Sequence, residues 1–353
     1  MSKVTIAVFA TLILLLGACG SDPTPAGPQT LAPSVTIIDI DDSRQRQLEI
    51  TFWQPATITQ PAPLLVFAHG LGGQPDKALW LTEYLASHGY IVAAVKFPNT
   101  NGDDMDALDL NDLLNQPGDI TRVIDIALGV SPGLPTSLVG KVDAERIALA
   151  GHSFGGLTTY LAGFDRELRE PRLQAAILLS AGAGDFLYSE FYQTRQLPML
   201  LLHGDQDLLV DYASTSAAAF DRADSPRVLV KMIGGSHLGF IDFPFFGINP
   251  DSIPCLMAKD SLSPNDDITF HADLMKREPA TGVGDYTAPL PCEYEVPNDP
   301  IMSVARQHQL SKPLILNFLS YALADQPSNN ATNYRETLKK MAEKDDLTIK
   351  MAL

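Results

Sequence analysis

The sequence predicts an α/β fold, a mostly parallel sheet flanked by helices, and three observations carry that expectation. From residue 35 onward, short apolar runs alternate with segments of helical periodicity, as successive βαβ units require. Several of the runs are apolar on both faces, which suits central parallel strands covered from above and below. Each is bounded by Gly, Pro or polar residues, the breakers that turn a strand into a loop.

In chain order, "VTIIDI" (35–40) and "LEITFW" (48–53) read as an early strand pair. "LLVFAH" (64–69), "YIVAAV" (90–95), "RIALAG" (146–151), "AAILLS" (175–180), "PMLLLHG" (198–204) and "RVLVKM" (227–232) read as the strands that follow. Between them "DKALWLTEYLASHG", "GDITRVIDIALG", "FGGLTTYLAGF" and "DYASTSAAAFDRA" read as helices, the first closed by Gly89 just past its end. A last helix, "SVARQHQLSKPLILNFLSYAL", is expected to close the sheet, with a polar C-terminal tail over 326–353. The domain proper is thus 35–325, interrupted after residue 240 by a Phe- and Pro-rich insertion to about residue 300, too long for a plain connector.

The chain's start reads as a targeting element. "MSKVTIAVFATLILLLGACG" has one lysine, an apolar run from Val4 to Leu16 and then small residues, the layout of a secretory signal over 1–18. The run is short for a bilayer-spanning helix, which needs about 20 apolar residues. "LGAC" resembles the bacterial lipobox, which implies a lipid anchor on Cys19 and attachment to the cell envelope, with Gly20 resembling outer-membrane sorting. The Pro- and Gly-rich 19–34 reads as a flexible tether. The two remaining cysteines, Cys255 and Cys292, are expected to pair, because disulfides persist in exported proteins.

Composition removes some function classes. A net charge of −17 without a Lys/Arg cluster excludes nucleic acid as a partner, since phosphate backbones are bound through clustered basic residues. The acidic "NGDDMDALDLNDLLN" (101–115) lacks the alternating carboxylates and central glycine of a calcium loop and reads as a solvated loop with a short helix. No histidine pair has zinc-site spacing, so no metal and no cofactor is expected. "HGLGG" (69–73) lacks the Lys and Ser/Thr of a phosphate-binding loop.

The chemistry concentrates at "ALAGHSFGG" (148–156). A strand ending in G-x-S-x-G and opening a helix fits a nucleophile elbow, in which Ser153 stands strained and exposed at the sheet edge and Gly151 and Gly155 clear the space around it. The helix N-terminus there favours developing negative charge. A serine hydroxyl needs a histidine base oriented by a carboxylate, in the chain order Ser, Asp, His. Asp207, in "HGDQDLLV", and His237, in "GGSHLGF", supply that order; Asp205 is the fallback acid, with capping of its own turn as its other reading. The oxyanion donors are expected at the amides of Leu71, in the glycine-rich turn after an early strand, and Phe154. His69 and His203 read as loop-holding histidines, and the His152 ring as packing on the helix.

"LLVFAHGLGGQPDKALWLTEYLASHGYIVAAVKFPNT" with "GHSFGG" and "GGSHLGFIDF" resembles the platelet-activating factor acetylhydrolase group of α/β-hydrolases and its bacterial relatives, the predicted dienelactone hydrolases, over most of 45–240. The resemblance implies an α/β-hydrolase fold and a calcium-independent serine hydrolase of carboxylic esters. The animal acetylhydrolases take their acid after the strand that follows the nucleophile helix, where this chain has Ser180; the acid is therefore expected at Asp207, with Asp185 an outside candidate. The expected partner is a small-molecule or lipid ester, with phospholipase-like activity or polyester depolymerisation as narrower readings. A catalytically silent surface lipoprotein is the reading from another class.

Overall fold

The computed structural model describes residues 27–182, 188–258, 291–293, 295–297, 300–325, 327–343 and 346–353. The signal segment, Cys19, Asp185 and the middle of the insertion lie outside the described residues.

The strands are β1 (Val35–Asp41), β2 (Arg46–Trp53), β3 (Ala62–Ala68), β4 (Ile91–Lys96), β5 (Val142–His152), β6 (Leu173–Leu179), β7 (Met199–Gly204), β8 (Arg227–Met232) and β9 (Leu347–Ala352). They form one sheet in the order β1-β2-β4-β3-β5-β6-β7-β8-β9. β4, β3, β5, β6, β7 and β8 run parallel, while β1 and β2 at one edge and β9 at the other are antiparallel additions. The chain steps from β3 out to β4 and back past it to β5, so β3 sits where the winding reverses, and ligand sites in open α/β sheets gather outside the carboxyl ends of the strands at such a point.

The helices are α1 (Leu79–Ser87), α2 (Gln116–Ala127), α3 (Phe154–Phe164), α4 (Ser189–Tyr192), α5 (Ala218–Arg222), α6 (Ser252–Ala258), α7 (Val304–Ala322) and α8 (Pro327–Ala342). Because successive strand side chains point to opposite faces, β3 feeds two cores at once. Leu64, Val66 and Ala68 pack with Ile120, Val123, Tyr160 and Leu161 of α2 and α3. Leu65 and Phe67 pack with Leu81 and Leu85 of α1, Leu314 and Phe318 of α7 and Leu338 of α8. Burying each such Leu or Phe contributes about 1.5–3 kcal/mol. This double covering is why the inner strands read as continuous apolar runs.

Three expectations need correction. The segment after Asp325 is not a plain tail: α8 stacks Tyr334 on Tyr321 of α7 with ring centroids 4.7 Å apart, and β9 pairs along the whole of β8. Its polarity reflects an edge position, where one face of a helix and one side of a strand meet water. The end of the tether is likewise docked, since the Gln29 amide donates to the Ser87 carbonyl at 2.7 Å and the Ala56 amide to Thr30 at 2.8 Å. The acidic 101–115 stretch forms two 3₁₀ turns, Met105–Ala107 and Leu110–Leu114, capped by Asp104 and Asp109, yet Asp112 is buried rather than solvated. It and Asp119 of α2 neutralise the buried guanidinium of Arg46, whose Nε donates to Asp119 at 2.8 Å and whose Nη2 donates to Asp112 at 2.9 Å.

Candidate active site

Ser153 is the single residue between β5 and α3, and it is held at φ 55°, ψ −118°. A non-glycine residue in such a conformation costs about 1–3 kcal/mol and persists only where its surroundings enforce it. Part of the enforcement is the hydrogen bond from the Ser153 amide to the Leu179 carbonyl of β6, at 2.9 Å. The flanking glycines are explained by close approach: a Cβ on Gly151 would strike the Gly155 carbonyl, and one on Gly155 would strike the Ala68 carbonyl at the end of β3. Here β3, β5 and α3 meet with no room for side chains, and Ser153 is left half-buried above them.

The acid loop follows β7. Asp207 lies within it, buried, its Oδ1 accepting the amides of Leu209 at 2.9 Å and Val210 at 2.8 Å. Its Oδ2 faces two imidazoles, Nδ1 of His237 at 2.9 Å and Nε2 of His203 at 3.3 Å. Burial by itself raises the carboxyl pKa, but the two histidines outweigh it and hold Asp207 well below the usual carboxylate range. Asp205 points elsewhere, its Oδ1 accepting the Gly234 amide at 2.7 Å, so it ties the acid loop to the turn after β8. Of the two aspartates, the one that reaches His237 is Asp207.

The base loop follows β8, and His237 opens a 3₁₀ turn over Leu238–Phe240. An ionised carboxylate only accepts, so Nδ1 of His237 carries the proton toward Asp207 and Nε2 is left as the basic nitrogen. Burial depresses this imidazole's pKa, but the Asp207 charge and hydrogen bond more than compensate, and the net direction is upward. The loop is fastened from below by Gln307 of α7, which accepts the Ser236 amide at 3.0 Å and donates to its carbonyl at 2.9 Å. Its far end is held by Trp80, whose indole donates to the Phe240 carbonyl at 2.9 Å.

Elbow and base loop meet through His152, the residue before the serine. Its Nε2 donates to the His237 carbonyl at 3.1 Å, and the two rings lie 4.7 Å apart. His152, the last residue of β5, therefore packs on the base loop, a contact its sequence position did not suggest. Burial, then the neighbouring His237, push its pKa down to about 3, so it is a neutral spacer. His69 and His203 do hold loops: His69 accepts the Phe97 amide at 3.0 Å, and His203 contacts the Ser216 hydroxyl at 2.8 Å. His308 stacks on Trp80 with centroids 4.4 Å apart.

Of the two residues read as oxyanion donors, Phe154 directly follows the serine and Leu71 lies in the turn after β3. Phe154 opens α3, its ring buried. Leu71 follows Gly70, whose backbone comes so near the elbow that an added Cβ would sit 3.1 Å from the Ser153 Cβ. Leu71 itself is 42% exposed. The Cys255–Cys292 disulfide is present, and the Cys292 amide donates to the Leu208 carbonyl of the acid loop at 2.7 Å. A cavity of about 360 Å³ at the opposite edge of the sheet, lined by Pro63, Tyr90 and Arg146, adjoins none of these groups.

One residue escaped the sequence reading. Asp251, buried in the segment that returns from the base loop, accepts the amides of Leu208 at 3.1 Å, His237 at 2.8 Å and Leu238 at 2.8 Å. "INPDSIP" reads as a turn entering a helix, and nothing local in it says that the aspartate serves two distant loops.

The PET hydrolase-like family model matches residues 36–242, more than half of the chain. A bis(hydroxyethyl) terephthalate hydrolase of Streptomyces coelicolor is 29% identical over 281 residues, 74% of this chain and 80% of that protein. Cutinase est2 of Thermobifida alba is 27% identical over 176 residues, 49% of this chain and 52% of that one. The platelet-activating factor acetylhydrolase of Bos taurus is 24% identical over 225 residues, covering 52% of this chain and 49% of it. The chain thus spans about half the length of the cutinase and the acetylhydrolase that it matches. The match begins at the first strand and ends just past His237, taking in the elbow and both loops, and with the α/β-hydrolase sheet it shows that the chain belongs to the PET hydrolase-like family.

Proposed function

We propose that the protein is a serine hydrolase of carboxylic esters acting through Ser153, His237 and Asp207. The observation that carries this reading is the strained φ of Ser153 at the mouth of α3, one residue from the histidine that touches His237. Nε2 of His237 takes the hydroxyl proton as Ser153 Oγ bonds to the ester carbonyl carbon. The carbonyl oxygen becomes an oxyanion, facing the amides of Leu71 and Phe154 and the N-terminus of α3. Collapse breaks the bond to the alcohol, which leaves with the proton from His237. Water then repeats the sequence on the acyl-serine and releases the acid. Asp207 keeps the imidazole in the tautomer with Nε2 free.

An apolar ester is favoured. Leu71 and, beside Gly72, Met105 are exposed next to the elbow, and Phe246 and Ile248 are exposed on the segment after the base loop. The relatives named as a terephthalate-ester hydrolase and cutinases point the same way; short-acyl phospholipids are the alternative. Labelling with a fluorophosphonate tests the reading: modification of Ser153, lost on Ser153→Ala, is the expected result. No labelling of a folded protein would favour a silent binding lipoprotein. Nitrophenyl esters of graded chain length, a terephthalate diester and a short-acyl phospholipid then rank the substrates. The same reading includes export and lipidation of Cys19, which incorporation of labelled palmitate checks.

A further inference from the structure

We propose that Asp251 is a positioning residue that sets the acid and base loops in register and adds a second negative charge behind the imidazole; this rests on the triad reading. Asp207 and His237 belong to loops after different strands, β7 and β8, and their 2.9 Å contact requires the two loops to keep a fixed offset. Asp251 supplies one. Oδ2 accepts from Leu208, next to the acid, and from His237 itself, while Oδ1 accepts from Leu238. A single side chain thus grips both loops at the residues that carry the chemistry. The return segment is itself held, since Asn249 donates to the Gln206 carbonyl at 2.7 Å and the disulfide partner Cys292 bonds Leu208.

Among the described residues the carboxylate is held by three backbone donors and the basic side chain that acts on it is His237. Burial, then the Asp207 charge, raise its pKa to about 6, and it is ionised at neutral pH. Among the described residues, Asp207 meets the His237 imidazole and His203 shares that carboxylate from the β7 side, the His152 ring lies against it from the elbow, and the charge of Asp251 acts on it from the return segment, while His308 of α7 meets the base loop further on, at Gly239 and Ile241. Asp251 is the second carboxylate in that set, and it favours the imidazolium that forms as Ser153 attacks.

The test compares wild type with Asp251→Asn, which keeps the size and one acceptor oxygen but removes the charge. Active sites are counted by fluorophosphonate labelling of Ser153, so any unfolded fraction drops out. The expected result is a kcat about 10- to 100-fold lower at similar KM, because a small misplacement of reacting groups costs rate rather than binding. The acid limb of kcat/KM moves to lower pH, since losing a nearby negative charge lowers the His237 pKa. Asp251→Glu, which restores the charge, returns the limb toward its wild-type position. An unmoved limb and unchanged kcat in Asp251→Asn overturn the proposal. If that variant does not fold, Asp251→Ser gives the same reading, and failure of both to fold assigns Asp251 to the scaffold instead. Absence of labelling and turnover in the wild type would bring down the triad reading, a result distinct from all of these.

Discussion

Nδ1 of His237 lies 2.9 Å from Oδ2 of Asp207, although they are 30 residues apart and sit in loops that follow different strands. The pair is buried, so the contact is strongly directional, and each partner determines the other's protonation. It also settles which of two neighbouring aspartates faces the histidine, something their spacing of two residues leaves open.

Exchanging the aspartates should separate chemistry from scaffold. Asp207→Asn is expected to reduce kcat by about 10⁴, because the imidazole loses the partner that orders its tautomer. Asp205→Asn removes part of an acceptor for the Gly234 amide and should cost about 1–3 kcal/mol of stability with less than about a tenfold change in kcat. Urea unfolding and ester kinetics on both variants check this; equal losses of kcat would contradict the assignment.

For Ser153→Ala, turnover of a nitrophenyl ester should fall by about 10⁴ to 10⁶, with the residual rate coming from binding and the oxyanion donors. The backbone strain at residue 153 remains, so the thermal midpoint should stay within a few degrees of wild type. A variant that keeps substantial turnover would point to another nucleophile.

Stability should rise with pH between about 4 and 6.5. Burial holds His69 and His308 near 4 and His152 near 3, so they are neutral in the folded chain while the unfolded chain protonates at about 6.5. The unfolded state therefore binds more protons in this window, and stability falls as the pH drops through it. Asp251, raised to about 6, works in the opposite direction, binding its proton more tightly when folded. Asp119 and Asp242, also raised by burial, act the same way as Asp251, and the three large histidine shifts outweigh these carboxyls. Thermal melts at intervals of half a pH unit measure the slope, and His69→Gln should flatten it; a midpoint independent of pH would refute the account.

Arg46→Met should destabilise the fold by about 3–5 kcal/mol, because Asp112 and Asp119 would be left buried without their shared cation. A second change, Asp119→Asn, should recover part of the loss. Guanidinium midpoints of the single and double variants give the coupling, and additive losses would show that the network is not a unit.

Ending the chain at Asp325 should expose the β8 edge and the apolar face of α7, giving a lower thermal midpoint and concentration-dependent association by light scattering. A truncated protein as stable and monomeric as the full chain would mean that β9 and α8 contribute little.

The sequence by itself determined the layered α/β architecture, the strand positions from β1 to β8, the elbow at Ser153 and the histidine downstream of it. These are legible because period-2 and period-3.6 patterns, glycine spacing and chain order are local or ordinal properties. Tertiary structure alone decided that Asp207 rather than Asp205 meets His237, that His152 leans on the base loop, that Asp251 grips both loops, and that the polar C-terminus adds a strand. Each of these depends on which loops the sheet brings side by side, and hydrogen-bond partners 30 or more residues apart leave no mark in the local pattern of either one.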